Sequence, residues 1–424
     1  MFRARTVKIY ASWFLIFVCA CTVPQVSSFD DLSPQPVDDA PLHETVFASP
    51  IIAPSFSILP DAELVNSPSA IGFDTLAFVT ANDGYLASYT EEVQGQLLNG
   101  AEIITKISHE YSVHPRLLLA ILEYQSAWVT QTNPDQTIYP FGLRETNFSG
   151  LYKQLSWAAN QLNRGYYLHR VGGLQQVSLF TGQTIALTEQ VNSATAAVQY
   201  LFSLLMNYHE WQLAVSPLGL QAIYLHLFGD PWQFDTGEVV PEDASQPEMR
   251  LPFASGESWY FTSGPHSAWG DGAAWAALDF APPGNQFGCY ESDDWVLAVA
   301  DGMVVRSENG VVVLDLDSDG FEQTGWSVLY LHIAERDRVS AGAYLNAGGR
   351  IGHPSCEGGL SSGTHVHIAR RYNGEWIPAD QQLPFNLSGW ISQEFGSQYN
   401  GRMVKNGKLI EASGFPAEEN QIYW

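Results

Sequence analysis

Thr364-His365-Val366-His367-Ile368 sets two imidazoles two residues apart in an alternating, strand-like run preceded by GGLSSG. Successive side chains on a strand point to opposite faces, so His365 and His367 project together and Val366 and Ile368 oppose them. Two imidazoles on one face can serve a single metal centre. An isolated HxH arises often by chance, so the case rests on further ligands. SGPHSAWGDGAAWAALDFAPPG supplies His266, 13 residues before Asp279, in a Gly-rich loop entering the strand-like AALDF. WSVLYLHI ends another such run with His332, on the face of Val328 and Tyr330. Two His nitrogens and one carboxylate oxygen make the zinc set that keeps a fourth position open. Such a metal acidifies water and polarises a carbonyl. Asp271, five residues after His266, is a rival carboxylate, but its GDG setting reads as a turn and Asp279 is preferred.

These residues lie in the C-terminal part of a chain of 424 residues, long enough for two or three domains. With 46% hydrophobic, 13% aromatic and 15% charged residues, most of it can bury a core. The net charge of −26 excludes an electrostatic nucleic-acid binder, which needs a basic face. Residues 1–20 read as a signal peptide: Arg3, Arg5 and Lys8 precede the apolar run Ile9–Ala20, too short to span a bilayer of about 30 Å. No Lys or Arg occurs from Ile9 to Thr105, and DDLSPQPVDDAP is tether chemistry. Residues 21–92 are therefore expected to be an acidic Pro/Ser-rich spacer, with a β element around Ile71–Tyr85 as the alternative. Apolar spacing of three and four residues predicts an all-α domain over 93–232, with Asn192 or Ser193 capping one helix. A polar connector over 233–249 leads to short alternating strands with Gly turns, in a domain over 250–424.

Across about 250–385 the chain resembles the lysostaphin-type (LytM-like) zinc peptidases that cut peptidoglycan. ADGMVV, VLYLHI, AGAYLNAGGRIG and SGTHVHI follow that family's order of motifs. The long spacing between His266 and Asp279 is similar to the staphylolysin (LasA-like) branch rather than to the compact HxxxD of most members. The resemblance implies a mostly antiparallel β fold and one Zn2+ per chain, held by His266, Asp279 and His367. It implies His365 as the general base that activates water and His332 as the stabiliser of the oxyanion, roles an amide hydrolysis needs. The expected function is a zinc-dependent endopeptidase hydrolysing peptide cross-links of peptidoglycan. The alternative is a catalytically inactive wall-binding or hydrolase-activating protein on the same fold.

Val18-Cys19-Ala20-Cys21 resembles a bacterial lipobox, which implies lipidation at Cys21 and an envelope protein held to the membrane by its lipid; plain secretion is the other form of export. Cys289 and Cys356 are the thiols beyond the signal region and are expected to pair as a disulfide, contributing about 4 kcal/mol in the chain-entropy picture. DLDSDG (315–320) begins like a calcium loop, but its twelfth position is Trp326 rather than Glu, so an acidic hairpin turn is the expectation and calcium stays open. His353 is expected to be a loop histidine without a metal role. Trp259, Tyr260, Trp269, Trp275 and Trp326 suit a groove and a core equally well. YSVHPRLLLAILEYQSAW faintly resembles the acid-bearing helix of lysozyme-like transglycosylases. Gln125 stands where the acid belongs and Glu123 lies about 200° around the helix, so glycan holding is the better expectation there.

Overall fold

The computed structural model describes residues 51–284 and 286–424. The signal segment, Cys21 and the first part of the expected spacer lie outside the described residues. Among the described residues no helix is long and apolar enough to cross a membrane.

The N-terminal part is built on eight helices: α1 (Thr75–Asn82), α2 (Tyr85–Ser88), α3 (Gly100–Tyr111), α4 (Pro115–Ser126), α5 (Leu151–Arg170), α6 (Ser193–Ser203), α7 (Tyr208–Ala214) and α8 (Leu220–Phe228). Local chemistry fixes their ends. Asn99 and Glu102 form a capping box on α3, at 2.9 and 2.8 Å. Asn192 caps α6, accepting from Thr195 N. α5 and α6 cross so closely at Gly165 that a Cβ there would sit 2.8 Å from Ala197 Cα. This part is not purely helical. Ile51–Ile52, Gln176–Ser178 and Thr184–Ala186 form a three-stranded sheet, and Thr90–Val93 pairs with Gln96–Asn99 in a hairpin.

The spacer expected over 21–92 is corrected from residue 51 onward. Ile58, Leu59, Leu64 and Val65 are buried in the helical core, and Ile71–Tyr85, weighed as a β element, carries α1 instead. Asp74 caps α1 at 2.9 Å. Glu63 is fully buried and accepts from Arg116 at 2.6 and 2.9 Å. A buried carboxylate so paired belongs to a core, not to a tether.

The C-terminal part centres on an antiparallel sheet of nine strands: β1 (Ser258–His266), β2 (Ala277–Ala281), β3 (Gly302–Glu308), β4 (Val311–Asp315), β5 (Trp326–Leu331), β6 (Tyr344–Leu345), β7 (Val366–Tyr372), β8 (Glu375–Trp376) and β9 (Gln421–Tyr423). Their order is β6-β3-β4-β5-β7-β2-β1-β9, with β8 paired to β7. One face buries Leu278, Phe280, Val328, Tyr330, Val366 and Ile368. The other carries Ala277, Leu329, Leu331 and Ala369, and Tyr167 of α5 packs against it. A separate four-stranded sheet over residues 386–411 follows before β9 closes the edge.

The two parts are tied by polar contacts. Ser112 Oγ donates to Gly374 O at 2.6 Å, and Arg170 pairs with Glu375 at 2.9 Å. Glu322 pairs with Arg306, Arg371 and, at 3.3 Å, His109 of α3. The connector has no regular structure after residue 234, yet it is held: Trp326 Nε1 donates to Ser245 O at 3.0 Å, and Met249 enters the β core.

His114 gives this fold an acid limit. Its Nδ1 accepts from Arg116 N at 3.1 Å as the cap of α4, and the ring is fully buried. Burial pushes its imidazole down to about 3 despite the pull of Glu63. A His with a depressed folded pKa gives stability that is complete above the unfolded value and lost as pH falls toward the folded one. Stability should therefore fall by about 1.4 kcal/mol per pH unit below about 6.5. Urea unfolding between pH 7 and 4 checks this: His114→Asn, which keeps a capping side chain, should show a visibly flatter pH profile than the parent.

Candidate metal centre

The register of three neighbouring strands gathers the ligand atoms. His367 of β7 lies opposite Asp279 of β2. On the other side of β2, Ser263 faces Asp279 and His266 faces Ala277, so three residues of β1 span two of β2. This bulge turns His266 toward the other two residues, as bulges commonly re-aim a side chain. His266 thus ends a strand rather than sitting in the loop expected from its glycines. The bulge is backed by a close approach of main chains: a Cβ at Gly264 would sit 2.6 Å from Gly401 N of the C-terminal sheet.

His266 Nε2 lies 3.0 Å from His367 Nδ1 and 3.3 Å from Asp279 Oδ1, and His367 Nδ1 lies 3.2 Å from that same oxygen. Ligands about 2.0–2.1 Å from a tetrahedral zinc ion stand about 3.3 Å apart. The donor set fits the ion in type and spacing. Asp279 Oδ1 is buried without a hydrogen-bond partner, as an atom meant for a cation would be. Burial would raise the Asp279 carboxyl, but the His266 and His365 imidazoles hold it well below the usual range. Burial also lowers the His367 imidazole, against the pull of Asp279, favouring the neutral ring a metal requires.

Outer contacts fix which nitrogen carries the proton. His266 Nδ1 lies 2.8 Å from Gly264 O and His367 Nε2 lies 3.0 Å from Ala268 O. A carbonyl can only accept, so each of these nitrogens donates, and in the neutral ring the facing nitrogen carries the lone pair; burial lowers the His266 imidazole but Asp279 raises it by more, so there a metal would have to displace a proton. His365 and His332 follow the same rule: their Nδ1 atoms lie 2.7 Å from Gly363 O and 2.8 Å from Glu357 O. Their rings stand 4.6 Å apart beside the ligand cluster. Burial, then His365 and His367, push the His332 imidazole down to about 3. The buried His332 ring is therefore neutral and offers Nε2 as an acceptor.

The face expected for His332 is corrected. Val328 and Tyr330 point into the core on the sheet's other side. His332 comes just after β5 with φ of +68°, and this left-handed residue breaks the alternation and delivers the ring to the ligand face. A non-glycine residue held there stores backbone strain of a kind that clusters at working sites.

The other residues sort clearly. Asp271 is exposed and pairs with Arg164 at 2.8 Å, away from the ligand set. Cys289 and Cys356 form a disulfide, with Cα atoms 5.7 Å apart. His353 lies in the loop just after the strand Arg350–Gly352, buried against Trp295 with its Nδ1 2.8 Å from Asp294 O. Trp259 and Trp326 are core residues, whereas Trp269 meets Tyr111 of α3. Glu123 accepts from Val129 N at 2.9 Å and Thr130 N at 3.1 Å, holding the turn after α4. Tyr399 was invisible in the sequence: it sits on a turn of the C-terminal sheet with φ of +70° and stacks on His266 at 4.7 Å.

Residues 57–242 match the family described as "LasA, N-terminal domain". Protease LasA of Pseudomonas aeruginosa is 25% identical over 298 residues, covering 66% of this chain and 68% of that protein. The protein has a LytM/LasA-like peptidase domain. Beta-lytic metalloendopeptidase of Lysobacter enzymogenes is 26% identical over 167 residues, covering 38% of this chain and 90% of that protein. Its namesake from Achromobacter lyticus is 27% identical over 173 residues, covering 38% and 43%. The LasA-type match begins at residue 57, inside the stretch that the sequence suggested was a spacer.

Metal analysis of variants separates ligands from neighbours in this LytM/LasA-like domain. His266→Ala and Asp279→Asn should lower zinc affinity more than about 100-fold, beyond what loss of an outer contact costs. His332→Ala and His365→Ala should still carry close to one zinc per chain by elemental analysis.

Proposed function

We propose that this protein is a zinc-dependent metalloendopeptidase that hydrolyses peptide cross-links of bacterial peptidoglycan, with His266, Asp279 and His367 as the metal ligands. The observation that carries the reading is the convergence of His266 Nε2, Asp279 Oδ1 and His367 Nδ1 within 3.3 Å beside a second pair of histidines. Zinc, when bound, supplies Lewis acidity toward water and the scissile carbonyl. His365 Nε2 takes the proton of the attacking water. His332 stands beside that base as the oxyanion-stabilising residue, a role that requires its imidazolium form, because its Nδ1–H is committed to Glu357 O. The proton taken by His365 passes to the leaving amine as the C–N bond breaks. Tyr399, stacked on His266, forms one wall beside the ligands.

The same proposal places the protein outside the cytoplasm, with peptidoglycan peptides as partners and Cys21 as the lipid-bearing residue. The disulfide between Cys289 and Cys356 suits an oxidising compartment.

Clearing of purified cell walls tests the reading. His365→Ala should lower the rate about 10²–10⁴-fold while retaining zinc, the range expected for loss of a general base. Chelation should abolish clearing and added zinc should restore it. The products should carry new amino termini and no new reducing sugar ends.

A further inference from the structure

The hairpin turn between β4 and β5 carries DLDSDG, residues 315–320. Asp315 ends β4 and is fully buried. Its Oδ2 accepts from Gly320 N at 2.9 Å, while its Oδ1 is buried without any hydrogen-bond partner. One carboxylate oxygen each from Asp315, Asp317 and Asp319 gathers within 4.8 Å of the others. Gly320, with φ of +96°, makes the sharp turn that brings them together.

No Lys, Arg or His forms an ion pair with these three carboxylates among the described residues. The nearby guanidinium groups of Arg306 and Arg371 are engaged by Glu322. Asp319 is held from outside, its Oδ1 accepting from Phe321 N at 2.9 Å and its Oδ2 from Thr324 Oγ1 at 2.8 Å. Asp317 Oδ1 accepts from Asp319 N at 3.4 Å. The turn thus orients three carboxyl groups toward one another, one with an orphaned buried oxygen, and provides no positive charge in return; burial, then Asp317, pushes the Asp315 carboxyl up to about 7. Burying an uncompensated carboxylate oxygen is unfavourable unless something meets it.

We propose that Asp315, Asp317 and Asp319 bind one divalent cation of calcium chemistry, at a site separate from the histidine cluster. Two oxygens each about 2.3–2.6 Å from one calcium ion can stand up to about 5 Å apart, which accommodates the observed span, whereas magnesium demands a tighter octahedron. Donors at alternate positions followed by glycine follow the pattern of calcium loops. Trp326 opens β5 where such loops place a bidentate Glu, so the affinity falls at the weak end, about 10⁻⁴–10⁻³ M, as in extracellular modules.

The site has a structural consequence. Glu322, two residues beyond Gly320, is buried and pairs with His109 of α3 as well as with Arg306 and Arg371. A cation that fixes the turn also fixes the carboxylate joining the helical part to the sheet. His332 lies at the opposite end of β5, so binding here does not depend on the peptidase reading.

The test uses the full chain with its zinc site saturated. Terbium should give luminescence sensitised by the adjacent Trp326, and calcium should displace it. Calcium at about ten times half-saturation should raise the unfolding midpoint by a few degrees. The double variant Asp317→Asn/Asp319→Asn alters exposed side chains; it should fold, clear walls at the parental rate without calcium, and lose both the luminescence and the shift. Equilibrium dialysis showing no calcium on the parent at 10 mM, or an equal shift in the double variant, would overturn the proposal. A magnesium response matching that of calcium would overturn the choice of ion.

Discussion

Registers on both sides of β2 constrain the whole site. Pairing on one side sets His367 opposite Asp279, and pairing on the other sets Ser263 opposite Asp279. Because side chains alternate along a strand, a slip of one residue would send a ligand into the opposite core. The sheet guards against that slip with its apolar face, where Leu278, Phe280, Val366 and Ile368 are all buried. The extra residue in β1 would be a fault elsewhere; here it supplies the rotation that a regular strand cannot give His266. Gly264 and Gly401 hold that bulge by main-chain contact, so the C-terminal sheet acts on the ligand geometry while also placing Tyr399.

The helical part bears on the same sheet. Asn160 and Arg164 of α5 both engage Asp271, and Tyr167 accepts from Trp376 N at 3.0 Å. These residues, at spacings of four and three, form one stripe along the helix. Asp271 lies in the loop joining His266 to Asp279, so α5 steadies the segment between two ligands. The carboxylate that competes with Asp279 in the sequence therefore positions the loop instead.

Much of the site was legible because alternation is a strong rule inside strands. His365, His367 and Asp279 follow it, and the distinction between Asp279 and Asp271 follows from strand against turn. His332 shows where the rule stops: one left-handed residue reverses a face, and nothing in WSVLYLHI marks that change. Residues 51–92 were hidden for a different reason. Lacking Lys and Arg and rich in Pro and Ser, they share the composition of disordered chains, yet Glu63 and a few apolar residues lie at the centre of the helical core. Leu76 of α1 is exposed, so its helix has no clean apolar stripe to read. Tyr399 is distant in sequence from every ligand, and only the packing of the second sheet brings it near.

The histidine pair beside the ligands shows how ordinary main-chain contacts set chemistry. Four imidazoles crowd a small volume, and each has one nitrogen against a backbone carbonyl: Gly264, Ala268, Gly363 and Glu357. Those carbonyls remove the freedom to choose a tautomer. For His266 and His367 the result is a ring nitrogen facing the Asp279 carboxylate. For His365 and His332 it leaves Nε2 free of the carbonyl contact. His266 and His367 approach Asp279 Oδ1 within 3.3 Å, while His365 stays 3.6 Å from the other carboxylate oxygen. The same kind of backbone contact thus orients all four rings, two of them against Asp279.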